Sequence, residues 1–328
     1  MNIPITQSKE WQNLQNDLNE TSFYKENDEY QFLAILKKTP VGNYLFLPYG
    51  PVAAKPKSMQ KALEEIDTLA RQHQCIFIRI EPQLPHPEEY LPKTAKKVKD
   101  ISPLDTWILD LSPDENTLIS NFSQGTRTCY HNVPKRGLKV ETTKDKEAIK
   151  HLVSLQNQIF KKKHLTGYDK KYLETELEQP FATLYLVKYY RPNIDTKLEN
   201  TSTTETSISS DPEPKEGQIL AASLFFDFSD TRYYMQSASD QNYRKLPATV
   251  ALLTAAIFDA KKKGIKYFDF WGIAPEDAPK NHPWYGFTKF KKSFGGESKH
   301  YAGTYDIVIK PLKYRLFEKT HQLKKLLH

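Results

Sequence analysis

The residues best suited to chemistry lie close together in one segment. Asp269-Phe-Trp-Gly-Ile-Ala274 is followed by His282-Pro-Trp-Tyr-Gly-Phe-Thr-Lys-Phe-Lys-Lys-Ser-Phe-Gly-Gly-Glu297. The aromatics Trp284, Tyr285, Phe287, Phe290 and Phe294 alternate there with the cations Lys289, Lys291 and Lys292. An aromatic face stacks on a base or a sugar, and an adjacent ammonium holds a phosphate. A strand that ends at Trp271-Gly272 and opens into a loop is a common setting for a site. The same letters also fit a plain helix. Phe287, Phe290 and Phe294 recur at three and four residues, the period of a stripe facing a core with its lysines in solvent.

Other chemistries find little support. Cys75 and Cys129 stand alone, without CxxC spacing or a disulfide framework, as in a reducing compartment. The nine histidines are scattered, with no metal-ligand pair at helical spacing, so neither a metal nor a cofactor is expected. No run of about 18 apolar residues exists to span a membrane, and MNIPITQSKEW lacks the regions of a signal peptide, so the expected compartment is the cytoplasm. The net charge of +7 is local: residues 261–328 hold 15 Lys and Arg against 6 Asp and Glu, or +9, leaving the remainder at −2. A basic zone of this kind attracts the phosphates of tRNA, of a nucleotide-sugar or of an anionic lipid. A merely solvated lysine-rich surface is the plainer alternative.

The elements that must position these residues read as two α/β units. In the first, Ser8 caps a short helix containing Trp11 and Leu14. Strands follow at 32–37 and 44–47, then a helix at 59–73 with apolar residues at Ala62, Leu63, Ile66, Leu69 and Ala70, then a buried strand at 75–80. The second begins near Trp107 with a strand at 106–111. Ser112-Pro113-Asp114-Glu115 reads as a cap with proline at the first helical position, and a second helix is expected over 146–160. Strands at 183–189 and 219–228 form a hairpin, joined by a third at 233–237. An amphipathic helix runs over 248–263, Gly264 stops it, and a strand follows at 267–271. Residues 191–217, rich in Thr, Ser, Glu, Asn and Pro, read as a disordered insertion.

Taken in order, several pieces resemble the FemABX family, the aminoacyl-tRNA-dependent transferases that build peptidoglycan bridges. They are Gln7 and Trp11, Leu47-Pro-Tyr-Gly-Pro-Val52, Arg79-Ile-Glu-Pro82, Thr106-Trp-Ile-Leu-Asp-Leu-Ser112, Asp269-Phe-Trp-Gly272, the His282 to Lys291 run, Phe294-Gly-Gly-Glu297 and Gly303-Thr-Tyr-Asp306. The resemblance covers nearly the whole chain except 191–217. It implies a mixed α/β fold of two tandem GNAT-like domains, the first 1–104 plus 302–328, the second 105–301. Tyr172 to Thr183 leaves no room for the coiled-coil arm of larger members, so the chain is closest to compact, FemX-like ones.

The implied activity moves an amino acid from aminoacyl-tRNA to a stem-peptide amine of a peptidoglycan precursor, either UDP-MurNAc-pentapeptide or lipid II. The family's Phe-Lys pair matches Phe290-Lys291. Lys291 would face the charge that develops on the ester carbonyl, or the tRNA terminus, and Phe290 would shape the channel. Lys289 and Lys292 are its neighbours and share the assignment as binding residues. Precursor contacts map to Tyr168, where the compared member has arginine, and to Tyr172, which keeps its type; a phosphate contact at the first is either lost or supplied by Lys161, Lys162 or Lys163. Trp11 and Gln15 complete the implied binding set, Gln15 standing where the compared member has lysine. Arg127 and Arg136 are weaker phosphate candidates. The chain is expected to act as a monomer.

Two rivals remain. One is an acetyl-CoA-type N-acetyltransferase of the same fold. Against it, Asp240-Gln-Asn-Tyr-Arg-Lys-Leu-Pro247 has no glycine to cradle a pyrophosphate, and Pro247 has no N–H. The other is a non-catalytic tRNA- or precursor-binding protein. The basic amphipathic tail, Tyr314 to His328, would either pack on the first domain or make a peripheral contact with an anionic membrane.

Overall fold

The computed structural model describes residues 3–163, 167–192 and 213–326, leaving aside the side chains of 162–163 and 321–326. The insertion expected at 191–217 thus lies, apart from its ends, outside the described residues. The chain divides into two compact units, residues 1–106, 272–282 and 298–328 in one and 107–271 and 283–297 in the other.

The first unit opens with a buried turn at Ile5–Gln7 and α1 (Lys9–Asp17), whose Trp11 amide donates to the Ser8 hydroxyl at 3.1 Å. Strands β1 (Ser22–Glu26), β2 (Tyr30–Thr39), β3 (Gly42–Leu47) and β4 (Val52–Ala53) lead to α2 (Pro56–Gln72), then β5 (Phe77–Ile80) and β6 (Lys96–Lys97). Pro56 starts α2 at the position where its missing N–H has no partner to lose. Met59, Ala62, Leu63, Ile66 and Ala70 of α2 cover one face of the sheet, against Phe32, Ala34, Leu45, Leu47, Ile78 and Ile80.

A strand from the far end of the sequence is built into that sheet, one place in from its edge. The order is β1-β2-β3-β5-β14-β6, where β14 is Tyr305–Val308 and pairs antiparallel to both neighbours, while β4 pairs with β2. Alternation along β5 sends Phe77 and Arg79 to the face opposite Ile78 and Ile80. There α9 (Pro311–Leu326) lays Tyr314 and Phe317 against Ile76 and Phe77. The Arg79 guanidinium bridges both oxygens of buried Asp306 at 2.7 Å, and Tyr314 donates its hydroxyl to the same carboxylate at 2.8 Å. The tail therefore packs on the first unit, the first of its two expected roles, while Leu312 and Leu316 stay exposed.

The second unit is built on the sheet order β13-β7-β12-β11-β10-β9-β8. Along the chain these strands and the intervening helices are β7 (Asp105–Asp110), α3 (Glu115–Asn121), α4 (Gln124–Asn132), β8 (Leu138–Thr143), α5 (Ile149–Lys163), α6 (Lys170–Glu178), β9 (Ala182–Tyr189), β10 (Ile219–Phe228), β11 (Thr231–Ser239), α7 (Ala248–Lys262), β12 (Tyr267–Ile273), α8 (Tyr285–Lys292) and β13 (Glu297–His300). The expected hairpin is present, β9 pairing antiparallel with β10.

Two local expectations are corrected. Asp114, not Ser112, caps α3, accepting from the Thr117 amide at 3.0 Å, so Pro113 precedes the helix. And α7 is buried on most of its circumference, from Ala248 and Val250 to Ile257 and Ala260, so it is a central helix rather than an amphipathic one. Its polar link is Arg232, fully buried, which grips Asp227 through two bonds of 2.6 Å and reaches Asp259, Tyr185 and the Ala256 carbonyl. Among the described residues no coiled-coil arm interrupts the unit: α6 ends at Glu178 and β9 starts at Ala182. The fold is the expected mixed α/β in two tandem units.

Candidate functional site

The site segment takes its shape from two parallel strands that part. β11 and β12 pair only from Thr231↔Tyr267 to Tyr233↔Asp269, although they run on to Ser239 and Ile273. On the other side of β11, Phe225 pairs with Tyr234 and Leu224 with Gln236, so Met235 is the extra residue of a bulge. Bulges re-aim side chains and end pairing, and both happen here at the same level of the sheet. On β12 the chain then turns at Trp271, a bulky residue held at φ +64. The buried Asp269 carboxylate accepts from the Trp271 amide at 2.7 Å and holds that turn. A non-glycine residue in this left-handed region marks local strain of the kind stored at functional sites.

Lys291 enters from α8 at this level. Its ammonium lies 5.0 Å from the Phe287 ring centre and 5.9 Å from that of Tyr234. The Tyr234 hydroxyl shares a hydrogen bond of 2.5 Å with Ser237. Burial removes water from the ammonium and lowers its pKa to about 8, partly opposed by the negative charge of Asp269. Lys291 is thus a poorly solvated cation with aromatic walls. Lys289 and Lys292 differ: both are exposed, and Lys292 sits over Trp107 at 5.0 Å.

The phenylalanine stripe splits between the two expected uses. Phe294 is fully buried and Phe290 packs edge-on against it at 5.3 Å, as core residues do. Phe287 is 38% exposed beneath the Lys291 ammonium and belongs to the site. The turn that follows needs glycine, since a Cβ on Gly296 (φ +101) would lie 2.4 Å from the Ile108 carbonyl oxygen.

A second cluster forms at α6. Asp169 caps the helix, accepting from the Tyr172 amide at 2.6 Å. The Tyr168 and Tyr172 rings stack at 4.4 Å and 13°. One turn further, Glu176 is 1% exposed and its Oε2 has no hydrogen-bond partner. Burial pushes its pKa up to about 8, while Tyr172 and Gln236 favour the ionised form. Gln236 lies two residues from Tyr234 on β11, so the two clusters flank the Met235 bulge.

The structure therefore brings Lys291 to Phe287 and Tyr234, and Tyr168 to Tyr172. The remaining expected residues fall elsewhere. Trp11 and Gln15 belong to the first unit, where both are buried on α1, 7% and 6% exposed. Arg127 donates to the Ser120 and Phe122 carbonyls and so ties α4 to α3, Arg136 and Lys161 are exposed, and the side chains of Lys162 and Lys163 lie outside the described residues. Among the described residues no group of His, Cys, Asp or Glu is arranged to hold a metal ion. Sequence reasoning missed Tyr234 and Glu176. Glu176 had a usable signal, its four-residue spacing from Tyr172 and Tyr168.

The chain thus carries two mixed sheets, each flanked by helices. Solved structures agree: the chain matches a crystal structure of FemX with TM-score 0.77 and 18% identity, covering 96% of this chain and 94% of that one. It also matches L-PGS from Bacillus licheniformis with TM-score 0.57 and 14% identity, covering 89% and 84%. The model of the FemAB family matches residues 188–322, so that part of the chain is similar to this family. Among curated proteins it is 23% identical over 258 residues to the lipid II:glycine glycyltransferase of Staphylococcus epidermidis, covering 67% of this chain and 62% of that one. The corresponding protein of Staphylococcus haemolyticus is 22% identical over 260 residues, 66% and 62% covered. The chain thus spans less than two thirds of the length of these relatives.

Proposed function

We propose that the protein is an aminoacyltransferase that moves an amino acid from aminoacyl-tRNA to a stem-peptide amino group of a peptidoglycan precursor, nucleotide-linked or lipid-linked. The observation that carries this reading is Lys291, a desolvated ammonium set between aromatic rings where β11 and β12 part. Acyl transfer from an ester to an amine passes through an oxyanion, and a fixed cation in a dry site stabilises that charge far more than one in water. With a pKa of about 8 the group is still mostly charged at neutral pH. Phe290, packed on Phe294, fixes the helix that carries it.

Support also comes from the match of residues 188–322 to the FemAB family and from similarity to relatives named lipid II:glycine glycyltransferase. In this reading Tyr168 and Tyr172 bind the precursor, and Lys289 and Lys292 attract the phosphates of the tRNA. The enzyme works in the cytoplasm, as a monomer, on substrates at or near the inner membrane face. No described helix is long and apolar enough to cross a membrane. The acetyl-CoA alternative is disfavoured at α7, where Pro247 occupies the cap without a hydrogen-bonding side chain or an N–H for a pyrophosphate.

The test is in vitro transfer with charged tRNA pools and both precursor forms, read by mass spectrometry. One added aminoacyl residue is expected with one tRNA–precursor pair, and no mass increase with any pair overturns the reading.

A further inference from the structure

The helix α9 has two apolar sides, and the first unit covers one of them. Tyr314 and Phe317 are buried against Ile76 and Phe77. Leu312 and Leu316 are left 81% and 53% exposed. Standing four residues apart, they share one side of the helix. Each is two residues from Tyr314, roughly 200° round the axis, so the pair lies on the side turned away from the sheet. Among the described residues the first unit has one other exposed large apolar side chain, Ile101. Single exposed leucines are ordinary, but two on successive turns of one helix form a patch.

Cations surround that patch. Lys313, Arg315 and Lys319 are all exposed on α9. By helical geometry Lys313 falls to one side of the leucine pair, and Arg315 and Lys319 to the other. Lys96, exposed on β6, adds charge beside the helix, its ammonium 4.8 Å from the Tyr314 ring centre. Residues 310–328 hold six Lys and Arg against one Glu, or +5. That one acid, Glu318, follows Tyr314 by four residues and so belongs to the packed side.

The charge decides what can cover the leucines. A second copy of the chain would set like charge against like, and two leucines fall far short of the core of a stable dimer interface. The phosphates of an RNA would engage the lysines and leave the leucines in water. An anionic bilayer offers phosphates at its surface and acyl chains just beneath, which matches both features. We propose that the outer face of α9 docks the protein on an anionic phospholipid surface, with Leu312 and Leu316 entering the headgroup boundary and Lys313, Arg315 and Lys319 meeting the lipid phosphates. Two leucines and a few cations make a weak anchor, so the contact is reversible. Packing on the first unit and contact with a membrane then use opposite sides of one helix. Docking of this kind requires no catalysis, so it stands apart from the transferase reading.

The experiment is co-sedimentation of the full chain, without substrates, with phosphatidylcholine vesicles that either contain or lack about one third phosphatidylglycerol. Binding at low salt should be at least about tenfold stronger to the anionic vesicles, and about 0.5 M salt should abolish it. The double variant Leu312→Ser, Leu316→Ser should bind at least about tenfold more weakly, because less apolar surface leaves water. The double variant Arg315→Gln, Lys319→Gln should lose roughly fivefold for each cation. All four side chains are exposed, so both variants should melt as the wild type does. In Leu312→Trp, the added indole emission should shift to the blue when anionic vesicles are mixed in. Wild-type protein that ignores anionic vesicles overturns the proposal. So does a leucine double variant that binds them as the wild type does, or an added Leu312→Trp emission that stays put. tRNA without its amino acid is titrated in parallel. If the cation double variant weakens tRNA binding and leaves vesicle binding intact, the face belongs to RNA and the proposal falls.

Discussion

Replacing Lys291 by methionine should make the protein more stable and less active at once. Methionine matches the length of the lysine stem and has no charge to desolvate. In the folded protein the ammonium has a pKa of about 8, against 10.5 when freely solvated. The unfolded chain therefore binds more protons between pH 8 and 10.5, and wild-type stability rises with pH across that window. Below pH 8 the full cost of burying the charge is present, about 3 kcal/mol from the separation of the two values. The contacts with Phe287 and Tyr234 return about 1 kcal/mol of it. Lys291→Met should thus gain about 2 kcal/mol at pH 7, and by pH 10.5 the advantage should have disappeared. Urea unfolding at fixed ionic strength from pH 7 to 10.5 measures this, with unchanged denaturant slopes as the control. Transfer by the same variant should drop by about two to three orders of magnitude, the usual cost of deleting one group that stabilises an oxyanion. A stability difference that stays flat with pH would refute the argument, because it would mean that the ammonium is as well hydrated folded as unfolded.

Three further changes test other parts of the structure. Glu176→Gln should also stabilise: the folded carboxyl keeps its proton up to about pH 8 while the unfolded one loses it near 4.5, so wild-type stability falls over that range and the variant's advantage grows to a few kcal/mol at pH 8. Melting temperatures at pH 5 and pH 8 should show a small gap at the first and a wide one at the second. Asp306→Ala strips Arg79 and Tyr314 of their shared buried partner and should cost about 3–5 kcal/mol in chemical denaturation. Gly296→Ala forces a Cβ against the Ile108 carbonyl in a left-handed conformation and should lower stability by about 1–3 kcal/mol, read in the same way.

Local patterns carried much of this structure openly. The apolar rhythm from Met59 to Ala70 identified α2, Ser8 marked the cap of α1, and Gly264, at φ +76, closed α7 where expected. The ordered motifs carried the resemblance to the family, and the Phe-Lys pair that this resemblance implies singled out Lys291. What stayed hidden depends on which residues the fold places side by side. Apart from that resemblance, nothing in the letters distinguishes Lys291 from Lys289 and Lys292; the difference is that one lies by Phe287 and Tyr234 while the others are exposed, Lys292 over Trp107. Glu176 reads as an ordinary helix-surface residue until the sheet covers it. The same holds for α7, whose apolar letters fit an amphipathic helix until packing is seen nearly all round. The bulge at Met235 was invisible because the letters do not fix which residues of β10 and β11 stand opposite one another.

The position of β14 bears on how the protein is made. A ribosome delivers β1 to β6 early, yet the strand that lies between β5 and β6 is residues 305–308. Until it emerges, β5 offers a bare row of backbone groups to any passing chain. The second unit, nearly continuous in sequence, can close first, so the half synthesised earlier matures last. A fragment ending at residue 106 should accordingly clump rather than fold, and adding the missing strand as a separate peptide should rescue it.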